Sequence, residues 1–485
     1  MRIFSLFLFL SSAFVSLFAE ECLHKHSLKC NMIHIHDEIP MKVDNIIDMF
    51  DKGIFFNRLR FNSFGYSWDE SLEAKRKDHA IAGLGGSLIF RSAYLHDISF
   101  ALSLYTSKAI GTLKEEESAF YKAGKDTFSR YNIYNNKNAT LMNLAEAYIE
   151  YNTFKSSLKV GRQIFESVLT KSNDTKMIPN TFEGITLHSK IIANTSFKMA
   201  YLTKQKLRDH NHFHHLLAYG DTKNDPYAKY KENDDSAMHR GLTLSKLEAL
   251  GIEDALFIAE IKNRDITDLT LRANYTAVPQ LLSSAMIQAK YRLDINDWSI
   301  VPALRYMQQF DDGAGAIAGA NHLSLYDGYS NAKSLNAQML GARIDMVKDT
   351  LKLRLGYTYI ADKGDFITPW RGFPTGGFTR AMSQYNWYAN TKSYMFQVDY
   401  KCKEIPNLKF ISRFVAQDFD DNKIGVQADS NLFSFDILKI LDDKKLYLKT
   451  RYAHVVGDSN TITSYGQQKL DSSYDEFRFE INYLF

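Results

Sequence analysis

The sequence predicts an all-β chain: a transmembrane antiparallel β-barrel of about 18 strands, preceded by a short N-terminal periplasmic segment. Three observations carry that expectation. The final nine residues alternate, with Phe477, Phe479, Ile481, Tyr483 and Phe485 large and apolar and Arg478, Glu480 and Asn482 between them. Side chains of a strand point to opposite faces, so this segment has one apolar and one polar face and ends on an aromatic residue. That is the pattern of a closing strand in a bacterial outer-membrane barrel. The same period of two recurs from residue 54 onward, and the connections alternate between tight and long.

The N-terminus reads as an address. Arg2 precedes an apolar stretch from Ile3 to Phe18, and Ala19 is a plausible cleavage site, so residues 1–19 are expected to be a signal peptide. The stretch is short for a transmembrane helix, and Glu20 and Glu21 follow at once. Residues 20–53 form the periplasmic segment. Cys22 and Cys30 are close enough in sequence to bridge, while Cys402 stands alone. His24, His26, His34 and His36 surround the pair, so a disulfide loop or disordered segment competes there with a metal site of no recognisable zinc spacing. Residues 40–52, with Val43, Ile46, Ile47, Met49 and Phe50, fit a short amphipathic helix or a plain linker.

From 54 to 485 the chain reads as one barrel, since its 8 prolines and 24% charged residues leave no Pro/Ser-rich divide. Beyond the leader no run of about twenty apolar residues occurs, so no transmembrane helix is expected. The segments run 54–66, 78–94, 97–108, 140–154, 157–165, 182–193, 196–206, 254–263, 267–276, 283–294, 297–309, 335–348, 350–361, 392–402, 406–418, 429–440, 444–456 and 473–485. The clearest sets Leu351, Leu353, Leu355, Tyr357 and Tyr359 against Lys352, Arg354, Gly356 and Thr358. Tight turns fall at Asn194-Thr195, Asn296 and Asp442-Asp443, and long connections at 109–139, 207–253, 310–334 and 362–391. Short periplasmic turns against long outer loops are the outer-membrane rhythm, and an even strand count puts both termini on the periplasmic side. The 28 tyrosines and 33 phenylalanines suit interfacial girdles, and a formal charge of +3 gives no indication of nucleic-acid binding.

In such a barrel the polar face is the lumen. Alternation puts Arg58, Arg60, Arg91, Arg272, Lys290, Arg292, Arg305, Arg343, Arg354, Arg413, Lys449, Arg451 and Arg478 inside, with fewer acids: Glu146, Glu150, Glu260, Asp345, Asp399 and Glu480. A channel lined by one sign of charge concentrates solutes of the other sign. The competing reading is that these charges pair across strands and brace the wall. The run Asp209 to His215 holds four histidines, His210, His212, His214 and His215, which are weak metal candidates and more simply solvated loop residues. No Gly-x-Ser-x-Gly, His-Glu-x-x-His or phosphate loop occurs, so no enzyme and no cofactor are expected.

Several segments carry a family resemblance. They are Asp44 to Gly53 with Arg58 and Arg60 following, Ala80 to Gly86, Leu102 to Ser107, Leu158-Lys-Val-Gly-Arg-Gln163, and Ser172-Asn-Asp-Thr-Lys-Met-Ile-Pro-Asn-Thr-Phe-Glu-Gly184. Over roughly residues 44–200 the chain resembles the OprD-type outer-membrane porins, in particular their epsilonproteobacterial branch; beyond, the likeness is mainly one of pattern. The Helicobacter outer-membrane proteins called Hof are similar in length and style. The Cys/His-rich N-terminus and the histidine-bearing loop depart from the family and leave the substrate class open.

The resemblance implies that the loop 166–181 folds inward as a constriction, with Ser172, Asn173, Asp174, Lys176 and Pro179 on it, as against a solvated outer loop. Lys159 and Gln163 would face inward beneath it, and Arg162, out of phase, would sit at a bulge or the interface. It also implies a basic ladder guiding carboxylates. The expected function is thus a passive porin for small hydrophilic, carboxylate-bearing or anionic solutes in the Gram-negative outer membrane, with lipids and solutes as partners. The alternative is a barrel-anchored adhesin whose long loops bind a host or matrix ligand.

Overall fold

The computed structural model describes residues 26–29, 32–70, 76–111, 118, 121–129, 132–133, 137–218, 220–221, 242–318, 328–382 and 385–485. The leader, Cys22, His24 and Cys30 lie outside these residues. Eighteen long strands form the wall: β1 (Ile54–Trp68), β2 (His79–Arg91), β3 (Ile98–Ile110), β4 (Thr140–Thr153), β5 (Ser156–Gln163), β6 (Thr181–Ser189), β7 (Thr195–Lys206), β8 (Leu256–Asn263) and β9 (Leu269–Val278). They continue as β10 (Leu282–Tyr291), β11 (Trp298–Asp311), β12 (Ala337–Lys348), β13 (Leu351–Ile360), β14 (Thr391–Lys401), β15 (Leu408–Asp418), β16 (Ser430–Leu441), β17 (Leu446–Gly457) and β18 (Tyr474–Leu484). Every expected segment corresponds to one of them. Consecutive strands pair antiparallel, and β18 pairs with β1, setting Arg478 opposite Phe64 and Glu480 opposite Asn62. The sheet is closed.

The turns at one end are short because Asn and Asp adopt the left-handed backbone cheaply. Asn194, Asp268, Asn296, Asp349, Asn407 and Asp442 all have positive φ there. The other end carries the long connections, apart from the tight 279–281 link between β9 and β10. Residues 40–52 resolve in favour of a helix, α1 (Ile46–Asp51), whose Asn45 side chain accepts from the Asp48 amide at 2.9 Å as an N-cap. It docks on the short-turn end, where the Ala93 amide donates to Met49 O and Phe50 lies 5.3 Å from Phe100.

Burial is inverted relative to a soluble protein. On β11, Leu304 is 59% exposed while its neighbour Arg305 is 7% exposed. Phe55 and Leu59 of β1 face out, and Arg58, Arg60 and Asn62 face in. An apolar outer surface around a charged interior matches hydrocarbon outside and water within. Outward aromatic pairs such as Tyr201–Phe257 at 4.8 Å and Tyr357–Tyr394 at 5.0 Å suit an interfacial girdle. Among the described residues no helix is long and apolar enough to cross a membrane; the strands do so.

Parts of two long outer loops fold inward. Phe366, Trp370 and Trp387 from 361–390, and Leu216 and Leu217 from 207–218, are buried in one core with Leu256, Leu282, Met307 and Met339 of the wall. Their apolar side chains find partners only by folding into the barrel mouth.

The outward face yields a depth test. Ile287, central in β10 and 63% exposed, should cost about 2–4 kcal/mol when replaced by Arg. Ile405, in a turn, should cost about 0–1 kcal/mol for the same change. Reversible urea unfolding in lipid vesicles measures both.

Candidate functional site

The strand register joins the inward arginines into one band. Arg272 of β9 stands opposite Gln288, and Gln288 opposite Arg305. Arg343 lies one step along the same face of β12, where its strand neighbour Asp345 faces Arg354. Arg354 faces Gln397, which faces Arg413; Asp436 faces Arg451, and Arg451 faces Arg478. The band thus runs from β9 to β18 along the hydrogen-bonding direction of the wall.

Its carboxylates are outnumbered. Asp345 serves Arg354 at 2.5 Å, Arg343 at 3.4 Å and Lys352 at 3.6 Å. Asp436 serves Arg413 at 3.0 Å and Arg451 at 3.3 Å, and Glu150 serves Arg91 at 3.0 Å and Lys159 at 3.9 Å. Arg272 has Glu260 at 2.6 Å. Arg305 has no carboxylate at ion-pair distance among the described residues: it donates to Gln288 Oε1, Pro374 O and Gly376 O, all neutral. Lys290 is half-buried on the inward face of β10. Bracing pairs therefore exist at most rungs, as the competing reading expected, but they leave positive charge over.

Residues 164–180 enter the barrel. The base of the loop is set by Gly161 and Gly184, cross-strand partners with φ of 126° and 156°, where a side chain would strike the adjoining strand's backbone. Asp174 reaches β1 and lies between Arg58 at 2.5 Å and Arg60 at 2.6 Å; Arg60 also meets Glu480 at 2.7 Å. Asn62 donates to Lys176 O. Lys176 sits 4.6 Å over the Phe64 ring and 3.7 Å from Asp126. Burial, with Arg478 adding to it, pushes its ammonium down to about 7 against the pull of Asp126. Ser172 bonds Glu166 at 3.0 Å, Asn173 donates to Arg371 O at 2.8 Å, and Pro179 O accepts from Lys206 at 3.1 Å. Met177 and Ile178 complete the attachment by packing on Phe56, Ile89, Tyr105 and Leu141.

Lys159 and Gln163 face inward, with Lys159 4.3 Å over the Tyr148 ring and Gln163 accepting from Thr186 at 2.5 Å. Arg162, out of phase, pairs with Glu183 at 2.8 Å beside the bulge at Glu183/Gly184.

Some assignments change. Arg292, expected in the lining, is exposed at a one-residue break between β10 and the short strand Leu293–Ile295, which continues the pairing with β11, and is paired with Asp294 at 3.0 Å; alternation cannot show such a break. The histidine run is solvated only in part. His210 is buried, its ring is 4.8 Å from that of His214, and the His214 backbone pairs with Gln205 in both directions. Burial pushes the His214 imidazole down to about 3. His215 faces Asp254 at 3.1 Å, and His212 is exposed. Among the described residues no group of three potential ligands, these included, is arranged to hold a metal.

Other residues emerge only in three dimensions. The loop 361–390 runs beside the first one, bridging Thr170 to Arg371, and its Phe378 lies 4.5 Å from the Arg305 guanidinium and 5.2 Å from that of Arg343. Arg380 on this loop is caged by Phe373 at 4.7 Å, Trp387 at 5.6 Å and Tyr385 at 5.7 Å, and its buried Nε and Nη1 have no hydrogen-bond partner. Burial lowers it to about 10. Arg208 meets Asp126 at 2.8 Å. Asp436 and Glu476 are inward acids that strict alternation could have found.

A closed 18-strand antiparallel sheet with an apolar exterior and a charged, loop-filled interior defines an outer-membrane channel of the porin class. The chain matches the family model "outer membrane porin, OprD family" over residues 135–485, and it belongs to that family. The match runs through the last strand, well past residues 44–200 where the resemblance was sharpest. Among solved structures, it is similar to OccK8 (OprE) of Pseudomonas aeruginosa, with 14% identity, TM-score 0.67, and coverage of 90% of this chain and 99% of that one. OccAB2 of Acinetobacter baumannii gives 19% identity, TM-score 0.66, and coverage of 90% and 99%. OpdK of Pseudomonas aeruginosa, solved with vanillate, gives 12%, 0.64, and 89% and 98%. At such identities the structural likeness is one of fold. No curated protein matches the chain. The protein sits in the outer membrane of a Gram-negative cell, and porins of this kind pass small polar solutes.

Asp174→Asn should leave Arg58 and Arg60 buried without their shared counter-charge and cost about 3–5 kcal/mol. Lys392→Gln, at the exposed pair with Asp418, should leave the unfolding midpoint unmoved. Equilibrium unfolding of the two variants checks the contrast.

Proposed function

We propose that the protein is a passive diffusion porin that favours small hydrophilic solutes bearing a carboxylate or other negative charge. The observation that carries this reading is the basic band from Arg272 to Arg478, in which Arg305 is held, among the described residues, by neutral oxygens only. A charge-assisted bond to a carboxylate is roughly twice as strong as a neutral one, so a passing solute can displace such acceptors favourably. Within the narrow lumen the unneutralised charge raises the local concentration of anions.

In this reading the charge clusters divide the work. The Arg58–Arg60–Asp174–Glu480 node is balanced and holds the loop 166–181 as the constriction. The Asp345 and Asp436 clusters carry surplus charge and, with Arg91, Lys159, Arg272, Lys290, Arg305, Arg343, Arg354, Arg413 and Arg451, line the path. Placement in the epsilonproteobacterial branch rests on the segments between residues 44 and 200. A signal peptide over 1–19 would supply the export route.

Planar-bilayer recording tests the proposal. Single channels should conduct and prefer anions across a KCl gradient. Replacing Arg305, Arg343 and Arg354 together by Gln should move the reversal potential toward cation preference. Absence of conductance contradicts the porin reading; an unmoved reversal potential means that these arginines only brace the wall.

A further inference from the structure

Residues 26–29 and 32–36 are not outside the barrel. His26–Leu28 and His34–His36 form an antiparallel hairpin, with His26 opposite His36 and Leu28 opposite His34. It occupies the interior at the short-turn end. The Leu28 amide donates to Tyr447 Oη of β17 at 3.3 Å, Met32 O accepts from Arg58 of β1 at 2.9 Å, and Arg91 of β2 lies 3.4 Å from His36 Nδ1. Lys29, at the turn, is within electrostatic range of Lys198 on β7, far around the wall from β17. The hairpin therefore lies inside the lumen along β17, β1 and β2, with Lys29 toward β7 and the Met32 carbonyl on Arg58.

Its hold is weak by construction. Two three-residue strands are too short to be stable alone, so the hairpin keeps its shape only against the wall. The imidazoles of His26 and His36 pack on Phe56 at 5.6 and 4.4 Å, and His26 and His34 stack at 5.3 Å. Both ring nitrogens of His34 are buried without a hydrogen-bond partner.

We propose that this hairpin is a displaceable plug in the periplasmic mouth of the pore, released when His34 and His36 take up protons. The inference rests on the porin reading. Among the described residues, the ionised side chains acting on the His34 and His36 imidazoles are positive: Arg58 and Arg60 of β1, Arg91 of β2 and Lys159 of β5. The nearby carboxylates are already engaged, Asp174 by Arg58 and Arg60, and Glu150 by Arg91 and Lys159. Among the described residues, a protonated His34 or His36 has no free counter-charge to meet while the hairpin is seated.

The sign of the pH effect follows. Burial, then Arg58, holds His34 well below its ordinary value, and burial, then Arg91, holds His36 at about 3. Released into water, each returns to about 6.5. Protons thus bind the released state preferentially. Below about pH 6.5 each of these two histidines favours release by about tenfold per pH unit, until the seated ring itself titrates.

The test is single-channel recording of the full-length protein from pH 7.5 to 4.5, beside a variant lacking residues 26–36 and a His26→Gln/His34→Gln/His36→Gln variant. Wild-type conductance should rise several-fold as pH falls below 6.5. The deletion variant should be open at both extremes, and the glutamine variant should stay at the low level throughout. A deletion variant no more conductive than wild type at pH 7.5 overturns the plug, and acid opening that survives the glutamine substitutions overturns its trigger. Should the deletion variant not fold, a wild-type conductance that is flat with pH overturns the proposal. Selectivity in the same recordings keeps the two readings apart: an open deletion variant without anion preference contradicts the basic-lining reading alone.

Discussion

A backbone crossing hydrocarbon must hydrogen-bond every N–H and C=O to itself, and a sheet can do so only by closing. The pairing of β18 with β1 is where this chain meets that demand, and the other features follow from it. Closure gives every strand an inside and an outside, and alternation then sorts the residues. Leu304 meets lipid because Arg305 meets the lumen, and the reverse register would put a row of guanidinium groups into the membrane. Alternating connections gather the short turns at one end and the long loops, apart from the tight 279–281 link, at the other.

Sorting charges inward creates a second requirement, since a buried charge without a partner is costly. The chain meets it unevenly. Arg58 and Arg60 share Asp174 and Glu480, and this balanced node is also the attachment of an inward loop whose Met177 and Ile178 are seated among wall side chains. Farther round, three cations share Asp345, two share Asp436, and Arg305 makes do with carbonyl and amide oxygens. Structural pairing and the proposed selection therefore fall on different stretches of the same band. The separation matters because a wall neutralised everywhere would be rigid but indifferent to the charge of the solute.

The strands were readable because period-two alternation is a local property. Asn194, Asn296 and Asp442 marked turns because a side chain that tolerates positive φ announces itself. The inward face of Arg272, Arg354 or Arg451 followed from parity alone. Asp436 and Glu476 obey the same parity and were legible but overlooked. Arg292 shows the limit, since parity does not mark the break before Leu293–Ile295 at which it lies exposed. What a loop packs against is non-local and left no such trace. Nothing periodic marks Arg380 among its aromatic rings, or says that His34 lies beside Arg58 rather than free of the barrel. The constriction expected over 166–181 named only polar residues and Pro179; the apolar pair Met177–Ile178 in the same segment also docks against the wall, beside the Asp174 node.

The central claim is that unneutralised positive charge on the wall selects what passes. Swelling of proteoliposomes in isosmolar solutions of a small carboxylate, its uncharged amide and an amine cation of the same size tests it most directly, because size is constant and only charge changes. The account predicts fastest entry for the carboxylate and slowest for the cation. Equal rates for all three, or a faster cation, would contradict it.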